Sequence, residues 1–498
     1  MTETSRAATR AISRIIARTI LLALVALTGH WANGAELDLA INHGRVMDPM
    51  TGTDKVLHIG VRQGRIVKLS EAVLAAERTI DASGLVVAPG FIDLHAHGQD
   101  PTSNGFQVTD GVTTALELEI GVLPVDTWLE SMRGKSRVHY GATASHLAAR
   151  MQILTGMVVG NPIYQQPASS GFTSDYATGP LSPEQAERLV KLVDQGVRNG
   201  GLGIGIGITY TPGASHEEIY SMFRLASHLG TPVFTHIRNS QQTNGDGLAP
   251  LQEVLANATA SGAALHVVHI NSSMDEQAPL AMELIRGARR AGVDVTTESY
   301  PYTAGSTRLE SALFDNWQGD YGQLQWTVTG ERLTRETFEE YRKTGGWVII
   351  HGRNEVTNHW LISQPDIMVA SDGVPFVGNA SHPRGAGTFA RVLGHYVRDE
   401  GALDLMSALH KMTAAPAKRL EKIAPIMARK GRIQTGADAD ITIFDPATIL
   451  DQATYTLPAR TSIGIEHVLV KGTAVVADGR LVEDAFPGEP IRSAISAR

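Results

Sequence analysis

The sequence predicts an α/β fold: a parallel (β/α)8 barrel of the TIM type that carries a small β-sandwich domain. Between residues 89 and 423, short apolar strands alternate with amphipathic helices, which is typical of a parallel sheet connected by helices. Turn-rich β segments at 36–88 and 424–490 flank this region, so both ends of the chain are expected to build one small domain. A doubly wound open sheet is the alternative. No Gly-rich dinucleotide or phosphate loop follows the strands, which favours the barrel.

Local signals predict several elements individually. In the small domain, the dipeptide Gln63-Gly64 is typical of a β-hairpin turn. In the barrel, Ser182 with Gln185 and Ser215 with Glu218 have the spacing of capping boxes and predict helix starts. Other segments expected to be helical lie at 251–258, 278–289, 389–398 and 403–420.

The regular alternation is interrupted once. Between Ser306 and Gly346 the pattern breaks down, which indicates an insertion at about 306–346 that covers the barrel mouth as a lid. Alternation is expected to resume with the strand Trp347–His351 and to end with the eighth barrel strand at Asp366–Gly373.

The first 35 residues differ from the rest of the chain. Four arginines precede an apolar run at 20–27, and small residues follow at Ala32, Gly34 and Ala35. This order predicts a secretory signal peptide at 1–35 and a secreted or periplasmic protein. An uncleaved anchor helix is the alternative, but the run is short for a bilayer span.

Composition excludes several classes of function. The 498-residue chain contains no cysteine, which rules out thiolate metal sites, cysteine nucleophiles and disulfides. The formal net charge of −8 and the lack of a long basic run make nucleic-acid binding a poor fit. We therefore expect a small-molecule substrate and no stable membrane insertion after signal removal. The sequence leaves the oligomeric state open.

Side chains that bind metals stand where several predicted strands end. His95 and His97 close the first strand, and both imidazoles can reach one ion because alternate residues of a strand face the same side. All strands of an α/β barrel end at one face, so these side chains are expected to share one mouth. The full set is His95 and His97 on the first strand, Glu117 and Glu119 on the second, His236 on the fifth, His269 on the sixth and Asp372 on the eighth.

Imidazole and carboxylate ligands without thiolates suit Zn²⁺, with Mn²⁺, Fe²⁺ or Ni²⁺ as alternatives, and we expect one or two ions. Such a site activates water and polarises a carbonyl, which are the two requirements of amide hydrolysis. Asp372 can take a proton from the activated water and deliver it to the leaving nitrogen. It is also a candidate metal ligand.

A series of motifs covers nearly the whole chain from about Glu36 to about Leu481. In order, these motifs are PGFIDLHAHG, GVTTALELEIG, THIR, VVHINSS, SYPYTAGST, SDG, HPRGAGTFARVLG and TAAPAKRL. The series resembles the D-aminoacylase (N-acyl-D-amino-acid deacylase) family of the amidohydrolase superfamily. The resemblance implies a metal-dependent hydrolase barrel, a small β-sandwich and deacylation as the reaction.

The chain departs from that family on the second strand. Family members usually carry a bridging cysteine ligand there, and alignment places Ile120 opposite it. Glu119 is adjacent and can bridge two ions after a small backbone shift, whereas Glu117, one pleat earlier, is the second choice. One of these two glutamates is alternatively a charge partner inside the barrel. Other branches of the superfamily use a carboxylated lysine on the fourth strand, but residues 203–209 contain no lysine.

The resemblance also implies a binding site for the carboxylate of the acylated amino acid. A lysine that usually contributes to it is here Asn271, and Arg308 is a candidate to compensate. The residues assigned to this site by the resemblance are Tyr300, Ser306 and Arg384. The histidines for which packing or surface roles are expected instead are His146, His351 and His382.

The predicted function is metal-dependent hydrolysis of the amide bond of N-acyl amino acids, of D configuration if the resemblance extends to the substrate. One alternative is the same site acting on cyclic imides, dihydropyrimidines or isoaspartyl-type dipeptides. Another is a secreted binding protein without turnover. Asp372 and the histidine set argue against the last alternative, because a purely structural barrel does not need a carboxylate that transfers protons.

Overall fold

The computed structural model describes residues 37–162, 175–239, 247–315 and 317–495. The predicted signal peptide at 1–35 lies outside the described residues. Within these ranges, no helix is long and apolar enough to cross a membrane.

The strands of the described ranges fall into three sheets. In chain order they are β1 Leu39–Asp48, β2 Thr53–Arg62, β3 Arg65–Ser70, β4 Arg78–Asp81, β5 Val86–Pro89, β6 Phe91–Asp93, β7 Val112–Val122, β8 His139–Ser145, β9 Ile204–Gly207, β10 Val233–His236, β11 Leu265–Val267, β12 Val295–Ser299, β13 Gly305–Arg308, β14 Leu324–Trp326, β15 Trp347–Ile350, β16 Met368–Val369, β17 Ile441–Phe444, β18 Ile465–Val470, β19 Thr473–Ala477 and β20 Arg480–Leu481.

Most helices connect consecutive barrel strands. In chain order they are α1 Pro101–Thr109, α2 Val125–Ser131, α3 His146–Thr155, α4 Asp175–Thr178, α5 Pro183–Arg198, α6 His216–Leu229, α7 Ala249–Ser261, α8 Ile270–Met274, α9 Ala278–Arg290, α10 Arg335–Thr344, α11 Glu355–Ser363, α12 Arg384–Arg391, α13 Leu405–Met412 and α14 Ala414–Leu420. A π-helical stretch at Val392–Asp399 follows α12. Short 3₁₀ turns lie at Ile208–Tyr210, Asp275–Gln277, Ala312–Phe314, Tyr321–Gln323 and Pro425–Arg429.

The central element is a parallel barrel. In the described part of the chain, eight strands pair in the order β16-β12-β11-β10-β9-β8-β7-β6. The two edge segments meet just beyond the strand ends, where Ala96 pairs in parallel with Gly373 and the backbone N–H of His97 donates to the carbonyl of Gly373 at 2.8 Å. Helices pack against the outside through apolar residues such as Leu189 and Val193 of α5. The predicted α/β barrel is therefore confirmed.

Strands from both ends of the described chain form a separate sheet. Its main path is β20-β19-β18-β17-β5-β1-β2-β3, and β4 pairs with β1 to make nine strands among the described residues. The face that carries Ile41, Ile59, Ile441 and Leu469 encloses an apolar core of its own. The prediction of a small β domain assembled from both ends is confirmed.

The third sheet belongs to the insertion and corrects one expectation. The segment Trp347–His351 does not resume the barrel, because β15 pairs antiparallel with β13 and β14. Val348 of β15 packs with Leu324 and Phe338 in a core distinct from that of the barrel. An apolar strand pattern shows that a strand forms but not which partner it pairs with, so the sequence could not decide this point.

The local turn and cap predictions have different outcomes. Gln63 and Gly64 both have positive φ, 50° and 72°, and connect β2 to β3 as the predicted hairpin turn. Ser182 and Gln185 form the complete capping box of α5. Ser215 caps α6 by accepting from the backbone N–H of Glu218, but the Glu218 carboxylate binds His146 and Arg150 instead of closing the box.

Candidate metal centre

The carboxyl ends of five barrel strands bring the candidate ligands together. Because the strands are parallel, their ends meet at one mouth, and the side chains there come from distant parts of the sequence. His95 and His97 follow β6, Glu119 lies in β7, His236 ends β10, His269 follows β11 and Asp372 follows β16. The structure thus gathers all six candidate metal ligands at one place.

Four of them form a first group. The Nε2 atoms of His95 and His97 are 3.0 Å apart, and each lies close to Oε2 of Glu119, at 3.1 and 3.0 Å. Oδ1 of Asp372 is 3.3 Å from Nε2 of His95 and 3.5 Å from Nε2 of His97. The four ligand atoms lie within 4.8 Å of one another, as the donors around one ion do.

The second group shares a residue with the first. Oε1 of Glu119 is 2.6 Å from Nδ1 of His236 and 3.4 Å from Nε2 of His269, and these two nitrogens are 3.1 Å apart. Glu119 therefore offers one carboxylate oxygen to each group. A carboxylate in this position can bridge two cations.

The imidazole orientations fit a cation. Nδ1 of His95 is 2.6 Å from Glu298, and Nδ1 of His97 is 2.8 Å from Glu117, so each ring donates its Nδ1–H to a carboxylate. The two Nε2 atoms then point to one place and lie 3.0 Å apart, so a proton or a cation is needed between their lone pairs. A divalent ion would accept both lone pairs. Histidines whose other ring nitrogen donates to a carboxylate are usual ligands of such an ion.

The local charge also favours a cation. Burial lowers the pKa of His95, but the carboxylates of Asp372, Glu119 and Glu298 outweigh burial and raise this pKa to about 10. Burial raises the pKa of Glu119, yet the neighbouring imidazoles of His95 and His236 hold it well below its usual range. The surplus of buried carboxylates that favours a proton on His95 equally favours a metal ion.

A bulge in β7 explains how Glu119 reaches the centre. In the ladder with β8, Glu117 pairs with Ala142 and Val122 pairs with Ala144, so β7 has three extra residues in this stretch. Gly205 of β9 lets the bulge approach, because a β-carbon there would lie 2.7 Å from the carbonyl oxygen of Glu119. Ile120 packs with Leu147 in an apolar cluster.

Glu117 has a different place. Its Oε2 holds Nδ1 of His97, while Oε1 accepts from the backbone N–H groups of Ile120 and Gly121 at 3.3 and 3.4 Å. Glu117 therefore orients a candidate ligand and fixes the bulge, whereas Glu119 belongs to both candidate ligand groups.

Sequence reasoning missed two supporting carboxylates. Glu298, at the end of β12, holds His95 through Oε1 and His266 through Oε2 at 3.0 Å. Asp93 accepts from the backbone N–H groups of His95 and Ser371 at 3.1 and 3.0 Å, and burial raises the pKa of Asp93 to about 6. A signal existed for both, since each is a carboxylate next to the end of an apolar strand.

Asp372 is held by an arginine. Its Oδ2 lies 2.8 Å from Nη1 of Arg384, which is 1% exposed. Burial raises the pKa of Asp372, but the Arg384 guanidinium and His95 outweigh burial and keep this pKa below its ordinary value. The backbone φ is 50° at Asp372 and 30° at His269. Two candidate ligands therefore adopt a positive φ, which is energetically unfavourable for residues other than glycine.

The residues expected to bind a substrate carboxylate do not all face the mouth. Ser306 lines the cavity, whereas Arg384 stacks on the ring of Tyr300, 4.8 Å from its centroid, and pairs with Asp372. Asn271 donates to the carbonyl of Tyr300 at 3.0 Å and is buried. Arg308 is also buried, in an ion pair with Glu310 at 2.6 Å, so it is not a surface residue.

The three histidines for which packing or surface roles are expected differ in position. His146 is fully buried and 2.7 Å from Glu218, which agrees with a packing role. His382 is fully buried and accepts from the backbone N–H of Arg384 at 3.1 Å. His351 is half-buried at the cavity edge, 2.8 Å from Gln325.

A cavity of about 400 Å³ opens directly onto the ligands. His97, Glu119 and Asp372 form part of its floor. The insertion supplies much of the wall, including the apolar side chains of Trp317 and Trp347. The candidate metal ligands therefore face a space large enough for a small molecule, with a polar floor and a partly apolar wall.

Known proteins resemble this chain over most of its length. Residues 86–475 match the model of the amidohydrolase family. N-acyl-D-glutamate deacylase of Alcaligenes xylosoxydans xylosoxydans is 31% identical over 477 residues, covering 88% of this chain and 94% of the relative. D-aminoacylase of the same organism is 28% identical over 507 residues, covering 91% and 96%.

A solved structure agrees with these relatives. N-acyl-D-glutamate deacylase from Bordetella bronchiseptica, complexed with zinc and a phosphonate inhibitor that mimics the tetrahedral intermediate, superposes with a TM-score of 0.77 at 25% identity. The match covers 92% of this chain and 99% of that protein. From its order of strands, its gathered ligands and these matches, the chain belongs to the amidohydrolase family.

Proposed function

We propose that this protein is a zinc-dependent amidohydrolase that hydrolyses the amide bond of N-acyl-D-amino acids. The main support is geometric: Glu119 belongs to both ligand groups, and Asp372 lies beside them at the floor of the same cavity. The deacylase relatives support the choice of an N-acyl amino acid over other amides.

Six residues are proposed to hold two zinc ions. The ligands of the first are His95, His97, Glu119 and Asp372, and those of the second are Glu119, His236 and His269. When bound, zinc supplies Lewis acidity that lowers the pKa of water and polarises a carbonyl. Glu298 and Glu117 fix the ring orientations of His95 and His97, so that both Nε2 lone pairs point to the same place.

Asp372 is proposed to move the proton. It accepts a proton from the attacking water through its carboxylate and then donates it to the leaving nitrogen, which must gain a proton before the C–N bond breaks. Arg384, 2.8 Å from Oδ2, keeps Asp372 ionised before the reaction and holds its orientation. The cavity wall formed by the insertion shields the reacting groups from bulk water.

A substrate panel tests this function. We expect the zinc-loaded protein to hydrolyse N-acetyl-D-amino acids with kcat/KM of about 10⁴ M⁻¹ s⁻¹ or higher, the usual range for enzymes on their own substrates. The L enantiomers, isoaspartyl dipeptides and cyclic imides are expected to react much more slowly. A clear preference for a cyclic imide or an isoaspartyl dipeptide would show that the site hydrolyses that bond and not the amide of an N-acyl amino acid. If no substrate of the panel is hydrolysed, a binding protein without turnover is favoured.

We also propose that residues 1–35 direct export and are then removed. The supporting pattern is the series of arginines, the apolar run at 20–27 and the small residues before position 36. Expression of the full chain with a C-terminal tag in a Gram-negative host is expected to give a periplasmic protein whose N-terminal sequencing starts close to residue 36. A cytoplasmic protein that keeps Met1 would contradict the proposal.

A further inference from the structure

The barrel interior contains a buried histidine to which the proposed reaction gives no role. His266 lies on β11, three residues before the candidate ligand His269, and its side chain is fully buried. Its ring centroid is 5.1 Å from that of Phe234 on the neighbouring strand β10. Phe234 shares an apolar cluster with Ile92 of β6 and Leu116 of β7, so His266 lies among side chains that several barrel strands point inward. A polar ring in such surroundings is unfavourable unless it is hydrogen-bonded.

Both ring nitrogens of His266 have partners. Nδ1 is 2.7 Å from Oγ1 of Thr296, the residue paired with His266 in the ladder between β11 and β12. Nε2 is 3.0 Å from Oε2 of Glu298. Burial lowers the pKa of His266 and outweighs the Glu298 carboxylate, so the ring is neutral near pH 7 and carries one proton. Because a carboxylate only accepts, this proton is on Nε2, and Nδ1 accepts from the Thr296 hydroxyl.

The other oxygen of Glu298 extends these contacts to the candidate metal centre. Oε1 is 2.6 Å from Nδ1 of His95, so each carboxylate oxygen accepts from one imidazole. Glu298 is buried, and its carboxylate cannot rotate without breaking one of these hydrogen bonds. The Thr296 hydroxyl, the His266 ring and the Glu298 carboxylate therefore form a continuous hydrogen-bonded chain that ends on a candidate ligand.

A comparison with Glu117 shows what His266 contributes. Glu117 orients His97, and its second oxygen is held by the backbone N–H groups of Ile120 and Gly121. Among the described residues, Glu298 has no such backbone donor, and its hydrogen bonds come from the rings of His95 and His266. The orientation of Glu298 therefore depends on the side chain of His266.

Building on the function proposed above, we infer that His266 is a positioning residue of the metal centre. Its Nε2–H fixes the Glu298 carboxylate, and this carboxylate keeps the proton of His95 on Nδ1. The Nε2 lone pair of His95 is then free for the first ion. His266 contacts neither the candidate ligand groups nor the cavity, so it acts through Glu298 on the affinity for metal.

Two substitutions of His266 test this role. His266→Leu removes both hydrogen bonds and is expected to weaken binding of one zinc ion about 10- to 100-fold, the usual effect of losing the support of a ligating histidine. His266→Gln is expected to restore most of this affinity, because its amide offers an N–H donor and an oxygen acceptor. The other ion is expected to bind as before, since His95 belongs to the first ligand group alone. Competition with a zinc-binding dye measures both stepwise Kd values.

His139→Leu is the matched control. His139 is also a fully buried histidine on a barrel strand, β8, and its Nε2 lies 3.1 Å from the carboxylate of Asp440. Asp440 pairs with Lys430 and contacts no candidate metal ligand. This substitution is expected to lower the unfolding temperature and to leave both zinc Kd values unchanged. If it weakens zinc binding as much as His266→Leu does, the effect is a general loss of stability and the inference is wrong.

The tautomer of His266 provides a test in the wild-type protein. Nitrogen NMR of protein labelled with ¹⁵N-histidine is expected to show this ring neutral and protonated at Nε2, with its signals assigned by their absence in His266→Gln. A neutral ring protonated at Nδ1 cannot donate to Glu298 and would overturn the inference.

Metal binding also separates this inference from the proposed reaction. If the zinc-loaded wild type hydrolyses no substrate of the panel, while His266→Leu weakens zinc binding and His266→Gln restores it, the proposed reaction is wrong and the positioning role stands. Equal Kd values for the wild type and His266→Leu, or no recovery in His266→Gln, overturn the positioning role even in an active enzyme. A wild type that binds no zinc overturns both.

Discussion

Asp372→Asn is expected to lower kcat about 1000-fold while the bound zinc remains, because the amide cannot accept and return the proton. His95, His97 and Glu119 stay in place as ligands, and asparagine has the shape of the original side chain. Steady-state kinetics on the best substrate of the panel and elemental analysis of the same samples provide the two readouts.

A surface variant is the control for this expectation. Asp54 pairs with Arg45 at 2.7 Å, and both residues lie on strands of the β domain, outside the barrel. Asp54→Asn removes this carboxylate and is expected to leave kcat unchanged. If Asp372→Asn keeps kcat within about tenfold of the wild type, a loss too small for removal of a general acid–base group, the proton-transfer role is wrong.

Glu119→Gln is expected to reduce the zinc content from two ions to one or none. A neutral amide can offer its oxygen to one cation but cannot neutralise and bridge two. Metal content after dialysis against a weak chelator is the measurement. The loss of the second ion is expected to be accompanied by a loss of activity, since the two ligand groups share this side chain.

Glu117→Gln is the matched control, because it makes the same change two residues away on the same strand. Glu117 contacts His97 at Nδ1 and not the ligand position, so the variant is expected to keep both ions with an affinity about 10- to 100-fold lower, as for other partners of ligating histidines. If Glu117→Gln loses an ion and Glu119→Gln does not, the bridging position belongs to Glu117.

The two glutamates also show where sequence reasoning stops. Alternation along β7 allows both carboxylates to face the barrel interior, and only the bulge between Glu117 and Val122 separates their roles. That bulge depends on Gly205 from a neighbouring strand and on backbone donors at Ile120 and Gly121. Such contacts join residues that are far apart in the chain and leave no periodic signal.

The arginines give a second example. Arg384 and Arg308 stand in segments that the sequence connects with the substrate, and in the structure each pairs with a carboxylate of the protein. Arg353 had no distinguishing motif, yet it is the arginine of the cavity wall without an acidic partner among the described residues. Whether a charge is neutralised within the protein depends on which side chains fold next to it, so residue type alone does not decide it.

The sequence by itself determined the barrel, the second domain built from both ends and the positions of the candidate metal ligands. It could do so because apolar periodicity is a local property, and because a parallel barrel brings every strand end to one mouth. The tertiary structure alone decided that Glu119 is shared between the two candidate ligand groups, that Glu298 and Asp93 support them, and that β15 leaves the barrel. Each of these depends on contacts between residues that are far apart in the chain. The sequence pattern does not encode such contacts.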